Sequence, residues 1–268
     1  MDGIQYPART LDPHKVVVVR DTMENVLVQL GVSFPLVQPL PQGEVLIVGS
    51  RCPHRYYAGC GHNALRFSAD GEQIASACFG DGINHLLTTR AGSAWVGYFD
   101  EGVFADRGWA PPDGPDPLGS PGINRFGTDL ARQWSFPASA PLGMIADCYS
   151  LNLDGETVWA SYYDGFPIVR IEDGEVRSWT NAVIGARAVM VDDGWIALVG
   201  GYRGEHDRVV LGRLVEHDVG ATEVLRLTWP DGSALSPRAR FVAHGAEVDV
   251  FNGPQRYRIS VSDLRNHG

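Results

Sequence analysis

Acids and bases recur at comparable places along this chain, each close ahead of a strand-like stretch: Glu24, Asp81, Asp147, Arg187 and Arg240. Gathered round one opening, three carboxylates and two guanidiniums could grip a polar ligand, and neighbouring carboxylates would push one another's pKa into the range of acid/base work. Asp100, Glu101 and Asp164 follow the aromatic residues Tyr98, Phe99, Tyr162 and Tyr163. Aromatic rings beside carboxylates are a common way to hold a sugar-like or cationic ligand. Asp81, Asp147 and Glu101 are therefore the candidates for catalysis, as the acid/base groups of a hydrolase or lyase. Glu24, His85, Asp100, Tyr163, Asp164, Arg187 and Arg240 are the candidates for binding. The competing reading is structural, since Asp and Gly are also what tight turns require.

A second cluster sits in the segment SRCPHRYYAGCGHN, where Cys52, His54, Cys60 and His62 supply the ligand types of a zinc site. Their spacing is not that of a zinc finger, and ligands two apart on an extended chain point in opposite directions unless the loop curls. A ligand-touching loop carrying Tyr56 and Tyr57, or a plain surface loop, are the alternatives. The sequence has no GxSxG elbow, Walker loop, dinucleotide fingerprint or calcium loop with alternating acids. No nucleotide or flavin is expected, and any ion would be zinc or calcium.

The elements that must position these residues repeat. Five times an arginine precedes a large apolar residue within a strand-like stretch: Arg66-Phe67, Arg125-Phe126, Arg170-Ile171, Arg213-Leu214 and Arg258-Ile259. Ahead of each lies a turn and an apolar strand, with Trp95 and Trp159 at matching places. Short strands repeating every 40 to 50 residues or so are the signature of a β-propeller. The expectation is an all-β, five-bladed β-propeller of four-stranded antiparallel blades filling residues 1–268 as one domain. The blades fall at about 25–79, 84–136, 146–180, 186–229 and 238–262. The last lacks a strand, and residues 15–20 are left over at the N-terminus. The expectation is that this N-terminal strand closes the ring, removing open edges. The five arginines then lie on third strands, each stem packed over a neighbouring blade and each head paired with a turn carboxylate.

Ligands of small propellers bind at a mouth of the central channel, where loops converge. The longest loops, SRCPHRYYAGCGHN and DEGVFADRGWAPPDGPDPLGSPG, belong to blades one and two, and loops beyond about 12–15 residues are usually functional or disordered. Five-bladed propellers that act as glycosidases carry carboxylates on inner strands, which makes Asp81 and Asp147 suggestive by analogy of fold alone.

The net charge of −10 disfavours nucleic acid and anionic membranes as partners. No secretion signal or run of about 18 apolar residues is present, so a cytoplasmic protein is expected. Its four cysteines would then be thiols, Cys78 and Cys148 among them as buried small hydrophobes.

The run AGSAWVGYFDEGVF, with DGETVWASYYDGFPIVRI, resembles the repeats of bacterial sensor-type propellers, in which a Trp-Val-Gly strand leads to an acidic, glycine-bearing turn. It is also similar to an uncharacterised group of stand-alone bacterial propeller proteins. The resemblance covers blades two and three well and the others weakly, implies a propeller fold with ligand recognition, and carries no activity with it. Two functions follow: a small-molecule site at the channel mouth, or a protein-interaction platform built from the same loops.

Overall fold

Glu172 and Glu175 face each other across a two-residue turn, Asp173-Gly174, whose φ angles are 50° and 84°; Asp192 and Trp195 do the same across Asp193-Gly194, at 44° and 75°. Positive φ at both central residues gives a turn whose twist matches that of the strands, so each hairpin closes locally. The computed structural model describes residues 14–19, 25–52, 54–55, 59–104, 116–139, 142–253 and 255–267, those at 14–19, 25–30, 54–55 and 59–60 by backbone alone.

The strands β1 (His14–Val19) and β2 (Asn25–Leu30) form a hairpin of their own. The first large sheet takes β3 (Ser33–Pro39) and β4 (Val45–Arg51), then, beyond the small hairpin β5 (His54–Arg55) and β6 (Gly59–Cys60), β7 (Ala64–Phe67) and β8 (Gln73–Ala77). The second takes β9 (Ile83–Thr88), β10 (Ala94–Tyr98), β11 (Ile123–Phe126) and β12 (Arg132–Ser135), with the short helix α1 (Asp100–Val103) following β10. The third is β13 (Asp147–Asp154), β14 (Thr157–Tyr163), β15 (Ile168–Glu172) and β16 (Glu175–Trp179). The fourth is β17 (Ala188–Asp192), β18 (Trp195–Val199), β19 (Arg208–Val215) and β20 (Asp218–Arg226). The fifth has three strands, β21 (Arg240–His244), β22 (Glu247–Asn252) and β23 (Gln255–Ser260), before the chain turns into helix α2 (Val261–Asn266). A capping box between Ser260 and Asp263 starts that helix, and Val261 and Leu264 bury it against the fourth and fifth sheets.

All five large sheets are antiparallel meanders, and the second strands of the first four are largely apolar runs buried on both faces, as sheets sandwiched between sheets require, whereas β22 alternates, with Val248 and Val250 buried and Asp249 between them less so. The arginine repeat is a cross-strand register. Arg66, Arg125, Arg170, Arg213 and Arg258 lie on third strands opposite Leu46, Trp95, Trp159, Trp195 and Asp249. In the middle three sheets the guanidinium covers the tryptophan ring, at 5.8, 5.8 and 4.8 Å from its centroid. Each such contact contributes about 0.5–1 kcal/mol. Arg66 pairs with Glu44 and Arg170 with Glu172, at 2.5 and 2.6 Å, and Arg258 reaches Glu247 and Asp249, both at 3.1 Å.

Two expectations about the N-terminus are corrected. Residues 25–30 are not the inner strand of the first blade, and residues 15–20 do not complete the fifth; Lys15 to Val19 pair instead with Val26 to Gln29 and Asn25. The inner strand is SFPLVQP, whose Pro35 and Pro39 disguised it. An innermost strand has one edge free toward the axis, and there a missing N–H breaks no ladder.

The inner strands β3, β9, β13, β17 and β21 pack in succession, and β13 also meets β21. At that end Asn152 donates to the carbonyls of Val189 and Gly245, at 2.7 and 2.8 Å, and accepts from Gly245 N–H at 2.8 Å. This buried amide ties three sheets together. No helix among the described residues is long and apolar enough to cross a membrane.

Candidate functional site

Asp147, Tyr149 and Leu151 of β13 reach one cavity although a bulge between Cys148 and Ser150, with Tyr149 as its extra residue, interrupts the strand's alternation. They line this cavity of about 590 Å³ together with residues of β3, β9 and β21 and with Arg187, which directly precedes β17. Its walls are apolar, with Val37, Leu87, Leu151 and Val242. Polar groups stand at the starts of the inner strands: Asn84, His85, Asp147, Tyr149, Arg187 and Arg240. This cup lies among sheets of which the third, fourth and fifth are joined by Asn152.

Asp147 is the chemically distinctive group. Burial, and then the negative charge of Asp100, push its carboxyl up to about 6. Asp100 reaches it from the start of α1, and two glycines make that approach feasible. A Cβ on Gly102 would lie 2.3 Å from the carbonyl oxygen of Asp81, and one on Gly82, whose φ is +67°, 2.4 Å from the nitrogen of Gly102. Beside them His85 lies with Nε2 3.1 Å from the carbonyl of Cys148 and 3.3 Å from the Asn84 amide nitrogen. Burial pulls its pKa down to about 4, so at neutral pH it is uncharged.

An aromatic wall adjoins the carboxylate. The hydroxyls of Tyr149 and Tyr202 hydrogen-bond to each other, and Phe166 packs edgewise on both rings, at 5.2 and 5.7 Å. Tyr163, 47% exposed, leans on Phe166 at 5.7 Å. Burial raises the Tyr149 hydroxyl well above the ordinary tyrosine range, keeping it a neutral donor and acceptor. Arg187 donates to the carbonyl of Pro237 at 3.3 Å.

The structure thus brings Asp147, His85, Arg187 and Arg240 to the cavity, with Asp100 close enough for its charge to act on Asp147. It does not bring Asp81 and Glu101 to the cavity. Asp81, 3% exposed, accepts from the backbone N–H of Cys52 at 2.6 Å and pairs with Arg51 at 3.1 Å; Arg51 also binds Glu101 and lies over the ring of Phe99 at 5.4 Å. Both carboxylates are held in a structural ion-pair network, so the expected pairing of Asp81 with Asp147 in one site is corrected. Asp164 accepts from Gly165 N–H at 2.7 Å and lies outside the cavity lining. Glu24 lies outside the described residues.

Of the four residues expected to hold a metal, Cys52 is buried with Sγ 3.1 Å from the carbonyl of Gly61, burial pushing its thiol up to about 11. His62 is exposed and bonds to Ser76 at 2.7 Å, and the side chains of His54 and Cys60 lie outside the described residues. Among the described residues no group of three or more His, Cys, Asp or Glu could hold a metal ion. Cys78 is disulfide-bonded, which corrects the expectation that every cysteine is a thiol.

Sequence reasoning missed Arg51, Tyr149 and Tyr202. Tyr149 is the extra residue of a bulge, which counting by two does not foresee. Arg51 ends β4 and finds its partners in other elements, and Tyr202 lies in a loop, so periodicity says nothing of either.

No family model and no curated protein matches this sequence. Solved structures do. A gluconolactonase from Xanthomonas campestris is 14% identical over 93% of this chain and 80% of its own, with a TM-score of 0.50. A protein of unknown function from Bacteroides caccae is 12% identical over 93% and 87%, with a TM-score of 0.52. A functionally unknown protein from Desulfotomaculum acetoxidans is 11% identical over 94% and 77%, with a TM-score of 0.54. These are propeller-type bacterial proteins. The class that the sheets and the cup define is the β-propeller, and five sheets agree with five blades.

Proposed function

We propose that the protein binds a small, polar, sugar-related molecule in the cup, with Asp147 as the acid/base group of a hydrolase or lyase. The observation that carries this reading is Asp147, acted on by the charge of the nearby Asp100, on a cavity lined by four inner strands and by Arg187 at the entry to the other. A carboxyl with its pKa near 6 holds or releases a proton close to neutral pH, as proton transfer demands. The Tyr149–Tyr202 hydroxyl pair beside it offers hydroxyl partners and ring faces to a sugar. The similarity in fold to a gluconolactonase supports the same choice of ligand.

The test is a panel of free sugars, sugar lactones and glycosides, scored by thermal shift and by product formation, on the native protein and on Asp147→Asn. The expected result is a binder that raises the melting temperature of both and is turned over only by the native protein. A panel that shifts neither protein would refute the reading. A second reading, the protein-interaction platform, rests on Met144 and Ile184, each 50% exposed in the loops that enter β13 and β17.

A further inference from the structure

We infer that the cup holds its ligand by an anionic end, with Arg187 and Arg240 gripping a carboxylate or phosphate at the terminus of a small polyol. This rests on the reading of the cup as a sugar-related site. Arg187 directly precedes β17 and Arg240 opens β21, so the two guanidiniums enter the same cavity from neighbouring inner strands.

Their position sets them apart. Arg51, Arg66, Arg170, Arg226 and Arg258 each hold an Asp or Glu, and Arg125, Arg177, Arg213 and Arg265 lie over tryptophan rings. Among the described residues Arg187 and Arg240, like Arg90, Arg132, Arg203 and Arg238, have neither kind of partner, and of these six only Arg187 and Arg240 line the cavity. In a chain whose 32 acids outnumber its 22 bases, two cations on one cavity without a carboxylate partner are available to an anionic ligand.

The bond from Arg187 to the Pro237 carbonyl, in the segment leading to β21, draws its head toward the strand of Arg240 while leaving its other donors available. A planar guanidinium presents a fork that matches the two oxygens of a carboxylate or phosphate, and two forks on adjacent strands can bind one such group from two sides. A neutral sugar offers nothing that needs two cations. Asp100 and Asp147, with the tyrosine pair, are left for the hydroxylated remainder of the molecule.

The experiment is calorimetric titration of the full chain at low salt with gluconate, glucose 6-phosphate, glucose and glucosamine. It is repeated on Arg187→Ala and Arg240→Ala, and on Arg238→Ala, an arginine of the same segment that does not line the cavity. Gluconate or glucose 6-phosphate should bind, with glucose about tenfold weaker or more, and each cavity substitution should lose about tenfold while Arg238→Ala loses nothing. The stronger of the two anions distinguishes a sugar acid from a sugar phosphate. Glucose or glucosamine binding as tightly as the anions would overturn the anionic grip and leave the sugar site standing. Silence from all four would overturn both. An equal loss in Arg238→Ala would reduce the effect to general charge attraction and also overturn it.

Discussion

Asp147 joins strand position to chemistry. As the first residue of β13 it is half-buried at the rim, and burial together with Asp100 lifts its pKa from 3.8 to about 6. Carboxyl-carbon NMR should show a midpoint near 6 that falls in Asp100→Asn; a midpoint near 3.8 in the native protein would contradict the assignment. Stability should follow. Because this carboxyl takes its proton more readily folded than unfolded, its contribution is complete below about pH 3.8 and is lost as pH rises through about 6. Asp147→Asn should remove that component from the pH dependence of melting. His85 has the opposite sign: its pKa is depressed from 6.5 to about 4, so its contribution is present above 6.5 and is lost as pH falls through 4. The two slopes oppose each other over pH 4 to 6, so the native curve alone does not reveal either. Asp147 was legible from its place ahead of a strand. Asp81 stands in an equivalent place, but an arginine thirty residues earlier in the chain pairs with it.

That arginine belongs to an element-level link. Arg51 at the end of β4 ties the Asp81 loop to α1, and Asp81 is too deeply buried to be left charged without it. Arg51→Met should destabilise the fold by about 3–5 kcal/mol, read by urea denaturation, while Asp164→Asn, an exposed turn residue, should cost under about 0.5 kcal/mol. The five-fold Arg-apolar pattern was legible because cross-strand pairs recur at fixed intervals whatever the loops do. The strand β3 was not, because its prolines match the usual signal for a loop. Only the freedom of an innermost edge makes them acceptable there.

At the scale of the whole molecule the N-terminal hairpin stands apart. Among the described residues β1 pairs with β2 and with no other strand. Removing residues 1–30 should therefore change the stability of the remaining chain by less than about 1 kcal/mol, or roughly 2–4 °C in Tm. A larger loss in scanning calorimetry would restore a closing role to that segment. Of the four cysteines, one disulfide takes two, so the denatured, unreduced protein should titrate two thiols and the reduced protein four. Finally, Asn152 couples the third, fourth and fifth sheets through one buried amide. A slip of any one of them strains its bonds to the other two, so a push felt at one of these sheets is passed on to its neighbours.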